Sequence, residues 1–378
     1  MGEDLKPRIV VSGVNLVDLG PLSIYRDALV ALVEACGDRY EIFALVQRAN
    51  LFNIPGVTFY EFPRVKGSWL RRVKFEYFDS LRLSRDIQPD TWIAMHDITP
   101  RVECTRQFVY CHNPSPFYRF SIREAFLDPK FGVFVLLYRL LYRLFLKRNS
   151  AIIVQQDWIR REFIKRYKAR KVIIAHPTVA SVSIHPNPSE SAPGSPYRFL
   201  YPAHSRTFKN HELLLRAVRQ LESQGVSGFE VLLTIDANSN RCGADLFRRY
   251  SDLHNVRWLG RLSRERVYEL YGEVDCLVFP SKLETWGLPL TEFKTTGKPI
   301  LAVDLPYAHE TIGSYGRVVF FDEKEPTLLA NTMEGAIQGT LPWQTSTAIP
   351  IREPYASDWR ALWESLFPDL RFRPLDSE

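Results

Sequence analysis

The sequence predicts an α/β protein built from two parallel-sheet domains, and three observations carry that expectation. Short apolar runs alternate with longer amphipathic segments along the chain, the pattern of strand–helix–strand units. A Pro- and Ser-rich stretch, Ser181 to Pro196 (SVSIHPNPSESAPGSP), breaks the alternation near the middle and reads as a linker. The 378 residues are enough for two buried cores. The expected division is therefore 1–180, a linker at 181–196, a second domain at 197–345 and a terminal segment at 346–378.

In the first half, Arg8 to Ser12 reads as a strand, and the loop GVNLVDLGPLS leads into a helix from about Leu22 to Ala35. Gly20 and Pro21 stand at that helix start, where backbone N–H groups can face a ligand; an ordinary strand–helix turn is the plainer alternative. Glu41 to Val46 is the second strand. The segment ending at Arg85 mixes aromatic and basic residues, among them Trp69, Arg71, Arg72, Lys74, Phe75 and Tyr77. These form either a face that rests on a membrane interface or a solvated helix with a half-buried aromatic side.

Trp92 to Met95 and Phe108 to Cys111 are strands that end in His96-Asp97 and in His112. Polar residues at the carboxyl ends of parallel strands point at the ligand crevice. Phe117, Tyr118 and Phe120 then line a groove or simply pack. Phe131 to Arg148 reads as one long helix whose later half carries Arg139, Arg143, Lys147 and Arg148, and strands follow at Ala151 to Val154 and Val172 to Ala175.

The second half opens with the strand Tyr197 to Tyr201. Arg206 and Lys209 follow it, just before a helix with apolar residues at helical spacing (Leu213, Leu214, Leu215, Val218, Leu221). Two cations at the carboxyl end of a strand suit a diphosphate. Glu230 to Ile235 and Val256 to Leu259 are strands, and Gly260-Arg261-Leu262 joins the latter to a helix capped by Ser263.

The most informative stretch is Asp275 to Gly313. Cys276 to Phe279 is a strand, SKLETWG a loop, and Leu288-Pro289 the start of a helix that Gly297 and Pro299 terminate. Glu284 and Glu292 stand on either side of the helix start. Carboxylates accept hydrogen bonds from pairs of hydroxyls, and free N–H groups between them suit a diphosphate, so the stretch describes a nucleotide-sugar cradle. A strand (Arg317 to Phe321) and a helix (Glu325 to Ile337) follow, and the tail places Trp359, Leu362, Trp363 and Leu366 on one face.

The Glu-x7-Glu spacing, the intervening GLP and the following GKPI closely resemble the retaining glycosyltransferases of family 4. The resemblance implies the GT-B fold, two Rossmann-like domains facing across a cleft, with the terminal helix crossing back to the first. It implies that Glu292 holds the ribose and Glu284 the sugar hydroxyls, while Lys209 and Arg206 stabilise the departing diphosphate. It also implies that Gly260 and Leu262 receive the base, that Trp286, Gly287 and Leu288 border the donor, and that His112 steadies the reacting sugar. Gly20 would approach the donor by its backbone, although Pro21 stands where relatives often carry a second glycine. Arg206 lies nearer Lys209 than the family pattern has it.

The implied activity is metal-independent hexosyl transfer from a nucleotide sugar, GDP-mannose being favoured and UDP-sugars left open, with no other cofactor. The implied acceptor is a saccharide or a polyprenyl-diphosphate-linked saccharide, as in bacterial polysaccharide or O-antigen assembly, handled in the cytoplasm or at the inner face of the cell membrane. A sugar-nucleotide epimerase of similar fold and a non-catalytic nucleotide-sugar-binding or membrane scaffold are the competing readings.

Composition narrows the alternatives. Residues 1–180 hold 28 Lys and Arg against 18 Asp and Glu, and the remainder 21 against 25, so the first half suits an anionic partner surface. No recognisable nucleic-acid module accompanies those cations. The five cysteines include no CxxC pair and no metal-like spacing, which points to a reducing compartment. The start of the chain lacks a signal-like apolar core, and the most apolar run is broken by Arg139 and Arg143.

Overall fold

The computed structural model describes residues 6–17, 19–119, 121–177, 194–236 and 238–368. Its strands are β1 (Arg8–Ser12), β2 (Glu41–Val46), β3 (Val57–Glu61), β4 (Thr91–Ala94), β5 (Arg106–Cys111), β6 (Ala151–Val154), β7 (Val172–Ala175), β8 (Tyr197–Tyr201), β9 (Phe229–Leu233), β10 (Val256–Trp258), β11 (Cys276–Phe279), β12 (Ile300–Val303), β13 (Tyr315–Phe321), β14 (Gln344–Ser346) and β15 (Tyr355–Ala356). The helices are α1 (Leu19–Cys36), α2 (Trp69–Lys74), α3 (Ser80–Ile87), α4 (Ile122–Leu127), α5 (Pro129–Leu141), α6 (Asp157–Tyr167), α7 (His211–Ser223), α8 (Arg241–Tyr250), α9 (Arg264–Glu273), α10 (Leu288–Lys294), α11 (Pro306–Ile312), α12 (Pro326–Ile337) and α13 (Trp359–Leu366).

Two compact units emerge. The first comprises residues 1–117, 136–178 and 351–378, the second 118–135 and 179–350. The sequence expectation had kept 1–180 together; instead, 118–135 packs with the second unit. The linker expected at 181–196 lies outside the described residues as far as Pro193.

The first unit's sheet runs β15-β7-β6-β5-β4-β1-β2-β3 and is parallel throughout. Its central strands are buried on both faces, so they read as continuous apolar runs rather than alternating ones. Strand order reverses between β1 and β4, and such a switch point opens a crevice at the carboxyl ends of the two strands. α13 closes this unit. Trp359, Leu362, Trp363 and Leu366 are all buried in the core cluster that also holds Leu29 and Leu32 of α1. The Trp363 indole donates to the carbonyl of Ala28 (3.2 Å).

The second unit's sheet runs β10-β9-β8-β11-β12-β13-β14, parallel except for β13 against β14. Here the switch falls between β8 and β11, which pair directly. The loops carrying Lys209 and Glu284 leave these two neighbouring carboxyl ends, which is why residues 75 apart in sequence meet.

Several expectations are corrected. The segment around residue 70 is not one exposed basic face: Arg72 is buried within α2, and Phe75 and Tyr77 are buried in the π-helical turn at Phe75–Asp79. The helix expected over 131–148 stops at Leu141, and Phe145 adopts left-handed backbone (φ +57°). Phe117 and Tyr118 are buried packing residues, and Phe120 lies outside the described residues. Not foreseen in the sequence were β3, α8, α11 and the short α4 with its Ser121–Glu124 capping box.

Candidate active site

The second unit builds its site on rigid loops. After β8 the chain makes a 3-10 turn at Thr207–Lys209, and the Tyr201 hydroxyl fixes it by donating to the Lys209 carbonyl (2.8 Å). The loop after β11 is tied to that turn, since the Lys282 N–H donates to the Phe208 carbonyl (2.7 Å). Tyr307 from α11 donates to the Ser281 carbonyl (2.6 Å). Across these anchored loops the Lys209 ammonium pairs with the Glu284 carboxylate, both largely shielded from water.

Further positive charge surrounds Lys209. The His204 imidazole, although surface-exposed, is held below its ordinary pKa first by partial desolvation and then by Arg261, Lys209 and Arg206, which places these groups in one electropositive neighbourhood. His211, at the first turn of α7, is pushed down to about 3 by burial and by Lys209, so it stays neutral. Arg206 is half-exposed and pairs with Asp128 (2.7 Å), a residue contributed by the 118–135 segment. Neither His204 nor Arg261 was singled out as a charge contributor in the sequence; the signal was their position after β8 and β10, whose shared side of the sheet only topology reveals.

Gly287 is the N-cap of α10 and has φ +86°. A Cβ there would lie 3.4 Å from Leu290 Cδ1 and 3.5 Å from Phe279 Cε1, so the backbone conformation rather than space requires glycine. α10 has seven residues, and Pro289 contributes no N–H. The helix start is thus a weaker anion site than the sequence suggested, and the side-chain cations carry most of the charge. Trp286 is buried, with its indole N–H donated to Thr291 Oγ1 (2.9 Å), so it staples the loop onto the helix. Leu288 is half-buried beside Gly287.

Glu292 is buried in α10, where its carboxylate accepts from Tyr268 (3.0 Å), Tyr271 (3.1 Å) and Arg264 (3.2 Å), all on α9. An ionised carboxylate has about four acceptor positions, so about one is left for a ligand hydroxyl. This clamp was absent from the sequence reading, although residues 264, 268 and 271 stand at i, i+4 and i+7 and share a helix face. Gly260 has φ +74° with open space where a Cβ would stand, and Leu262 beyond it is half-buried.

His112 and Gly20 belong to the first unit. The His112 N–H donates to Asp97 Oδ1 (2.8 Å), as does that of Asn113 (2.9 Å), and the imidazole Nε2 lies 3.7 Å from Asp97 Oδ2. Asp97 thus fixes the turn after β5 that presents His112. His96 does not reach a crevice. It is buried with Nε2 2.9 Å from Ser12 Oγ and Nδ1 2.8 Å from Arg72 Nη2, and Arg72 in turn pairs with buried Glu76. Burial raises the Glu76 carboxyl to about 7 against the opposing pull of Arg72. Gly20 lies in the first turn of α1, while Asp18 just before it lies outside the described residues.

Residues 187–343 match the family model described as glycosyl transferases group 1. No curated protein matches the sequence. Among solved structures, the chain is similar to WaaG, a glycosyltransferase involved in lipopolysaccharide biosynthesis, at 12% identity and a TM-score of 0.61, covering 97% of this chain and 96% of that one. The lipopolysaccharide outer core galactosyltransferase WaaB gives 14% identity and a TM-score of 0.59, covering 96% and 100%. HepE from Anabaena in complex with UDP and glucose gives 16% and 0.55, covering 88% and 90%. The chain thus has the GT-B glycosyltransferase fold, and its second half carries the match to the group 1 glycosyl transferases.

Proposed function

We propose that this chain is a retaining hexosyltransferase that moves a sugar from a nucleoside diphosphate to a saccharide or lipid-linked saccharide. The observation that carries the reading is the Lys209–Glu284 pair inside a cationic neighbourhood, at the carboxyl ends of β8 and β11. A cation and a carboxylate so placed suit opposite ends of a nucleotide sugar: phosphate oxygens at the ammonium, sugar hydroxyls at the carboxylate.

In the reaction, the bond from the anomeric carbon to the phosphate oxygen breaks and the acceptor oxygen bonds on the same face of the sugar. The acceptor proton passes to the departing phosphate oxygen. Lys209, with Arg206 and Arg261, stabilises the charge that grows on the diphosphate. As phosphate draws Lys209 toward it, Glu284 is released to orient the sugar. Glu292, held by Tyr268, Tyr271 and Arg264, offers its remaining acceptor position to the ribose. His112 enters this reading through the resemblance alone, as a contact to the reacting sugar. The cations do the work a metal performs elsewhere, so transfer should persist in EDTA.

The similarity to HepE, solved with UDP and glucose, adds UDP-glucose to the donors worth testing beside GDP-mannose. A thermal-shift screen across GDP, UDP, dTDP and ADP identifies the base, and sugar transfer is then followed with the matching donor. Lys209→Ala should lower kcat/KM by about 10²–10³-fold, the cost of removing one charge-stabilising donor. Retained transfer in both Lys209→Ala and Glu284→Ala would overturn the assignment. Nucleotide-dependent turnover to free sugar, with no acceptor, would favour an epimerase-like reading instead.

A further inference from the structure

The first unit carries a second cationic feature that the transfer site does not use. Residues after α5 and at the end of α6 enclose a cleft of about 370 Å³ lined by Arg143, Phe145, Lys147, Arg166, Tyr167 and Lys168. Arg166 is engaged with Glu162, whereas Arg143, Lys147 and Lys168 are exposed and pair with no carboxylate among the described residues. Three like charges around one concavity repel one another, so the arrangement suits an anion that neutralises them.

Phe145 (φ +57°), which opens the 3-10 turn at Leu146–Arg148, and Lys168 (φ +54°), the left-handed cap that ends α6, both line it. Beside it runs an apolar stripe. Leu136 and Leu140 are one turn apart on α5 and expose 57% and 56% of their surface. Leu144, 37% exposed, continues the line, its N–H bonded to the Leu140 carbonyl (3.3 Å). An apolar ridge ending at a cationic cleft matches acyl chains below an anionic headgroup, where a purely soluble phosphate would need only the cleft.

We infer that the cleft at Arg143, Lys147 and Lys168 binds the phosphate headgroup of an anionic phospholipid, with Leu136, Leu140 and Leu144 seated in the outer acyl layer. The docking surface is therefore displaced from the segment at 69–77 to the end of α5. It is independent of the transfer reading, because vesicle binding is measured without turnover.

The test is co-flotation of the full chain with vesicles of phosphatidylcholine alone and with 30 mol% phosphatidylglycerol (roughly a third anionic lipid, a surface that attracts basic segments). The wild type should float only with the anionic vesicles and be released by high salt. Each cation removed should weaken binding about fivefold, so Arg143→Ala/Lys147→Ala/Lys168→Ala should lose roughly a hundredfold. Leu140→Ser/Leu144→Ser should also weaken flotation while keeping all three charges. Both variants change exposed side chains, and an unchanged thermal-shift response to the preferred nucleotide shows that they are folded. Undiminished flotation of the triple variant, or none for the wild type, overturns the proposal. Saturable pyrophosphate binding that the triple variant loses, without any vesicle binding by the wild type, overturns it in favour of a soluble phosphate ligand.

Discussion

Gly287 and Arg72 show how much a single residue is asked to do. At Gly287 the backbone turns through φ +86° to start α10, and any Cβ there is strained. Gly287→Ala should cost about 1–2 kcal/mol of stability, read by urea unfolding, and shift Glu284 and Glu292 with the loop. Arg72 is buried against Glu76 and His96. Removing it leaves a buried carboxyl without its counter-charge, so Arg72→Ala should lose about 3–5 kcal/mol while the exposed neighbour Arg71→Ala stays within about 0.5. His211 makes a pH statement. Burial pushes its folded pKa down to about 3 from the ordinary imidazole value of about 6.5, so between those values the unfolded chain takes a proton that the folded one refuses. Stability therefore falls as pH drops through that window, and His211→Phe should flatten the fall in Tm between pH 7 and pH 4.

At the scale of elements, α9 and α10 act together. Arg264, Tyr268 and Tyr271 hold Glu292, so α9 sets the orientation of a carboxylate that belongs to α10. Tyr271→Phe removes one of three donors while preserving shape. Its expected effect is a several-fold rise in donor KM with little change in kcat, seen in steady-state kinetics. α13 is an element held by burial. Trp363 is fully enclosed, and Trp363→Ala should destabilise the first unit by about 3–5 kcal/mol in chemical denaturation.

Across the whole molecule, the chain crosses between its units more than once. The 118–135 segment gives the second unit three ion pairs, Glu124–Lys282, Asp128–Arg206 and Arg123–Glu212, and an aromatic contact of Phe131 with Phe208 (5.0 Å). A fragment of residues 194–350 lacks all of these. It should unfold at a lower Tm than the same unit in the full chain and bind 1-anilinonaphthalene-8-sulfonate through the uncovered Phe208.

Sequence alone determined the parallel α/β architecture, because buried strands need unbroken apolar runs and their crossovers need amphipathic helices. It also marked Glu284, Gly287 and Glu292, since a strand–loop–helix with flanking carboxylates is written locally, whereas the left-handed backbone of Gly287 came from the structure. What only the tertiary structure decided are the pairings across sequence distance. Lys209 meets Glu284 because β8 and β11 are neighbours, and Glu292 is clamped because α9 packs on α10. The aromatic and basic residues near position 70 allow either a membrane-facing surface or a helix with a half-buried aromatic side, and the structure buries Arg72 in α2 and Phe75 and Tyr77 in the π-helical turn. Composition records which charges and rings a segment has; strand order and helix phase decide which of them meet water and which meet each other.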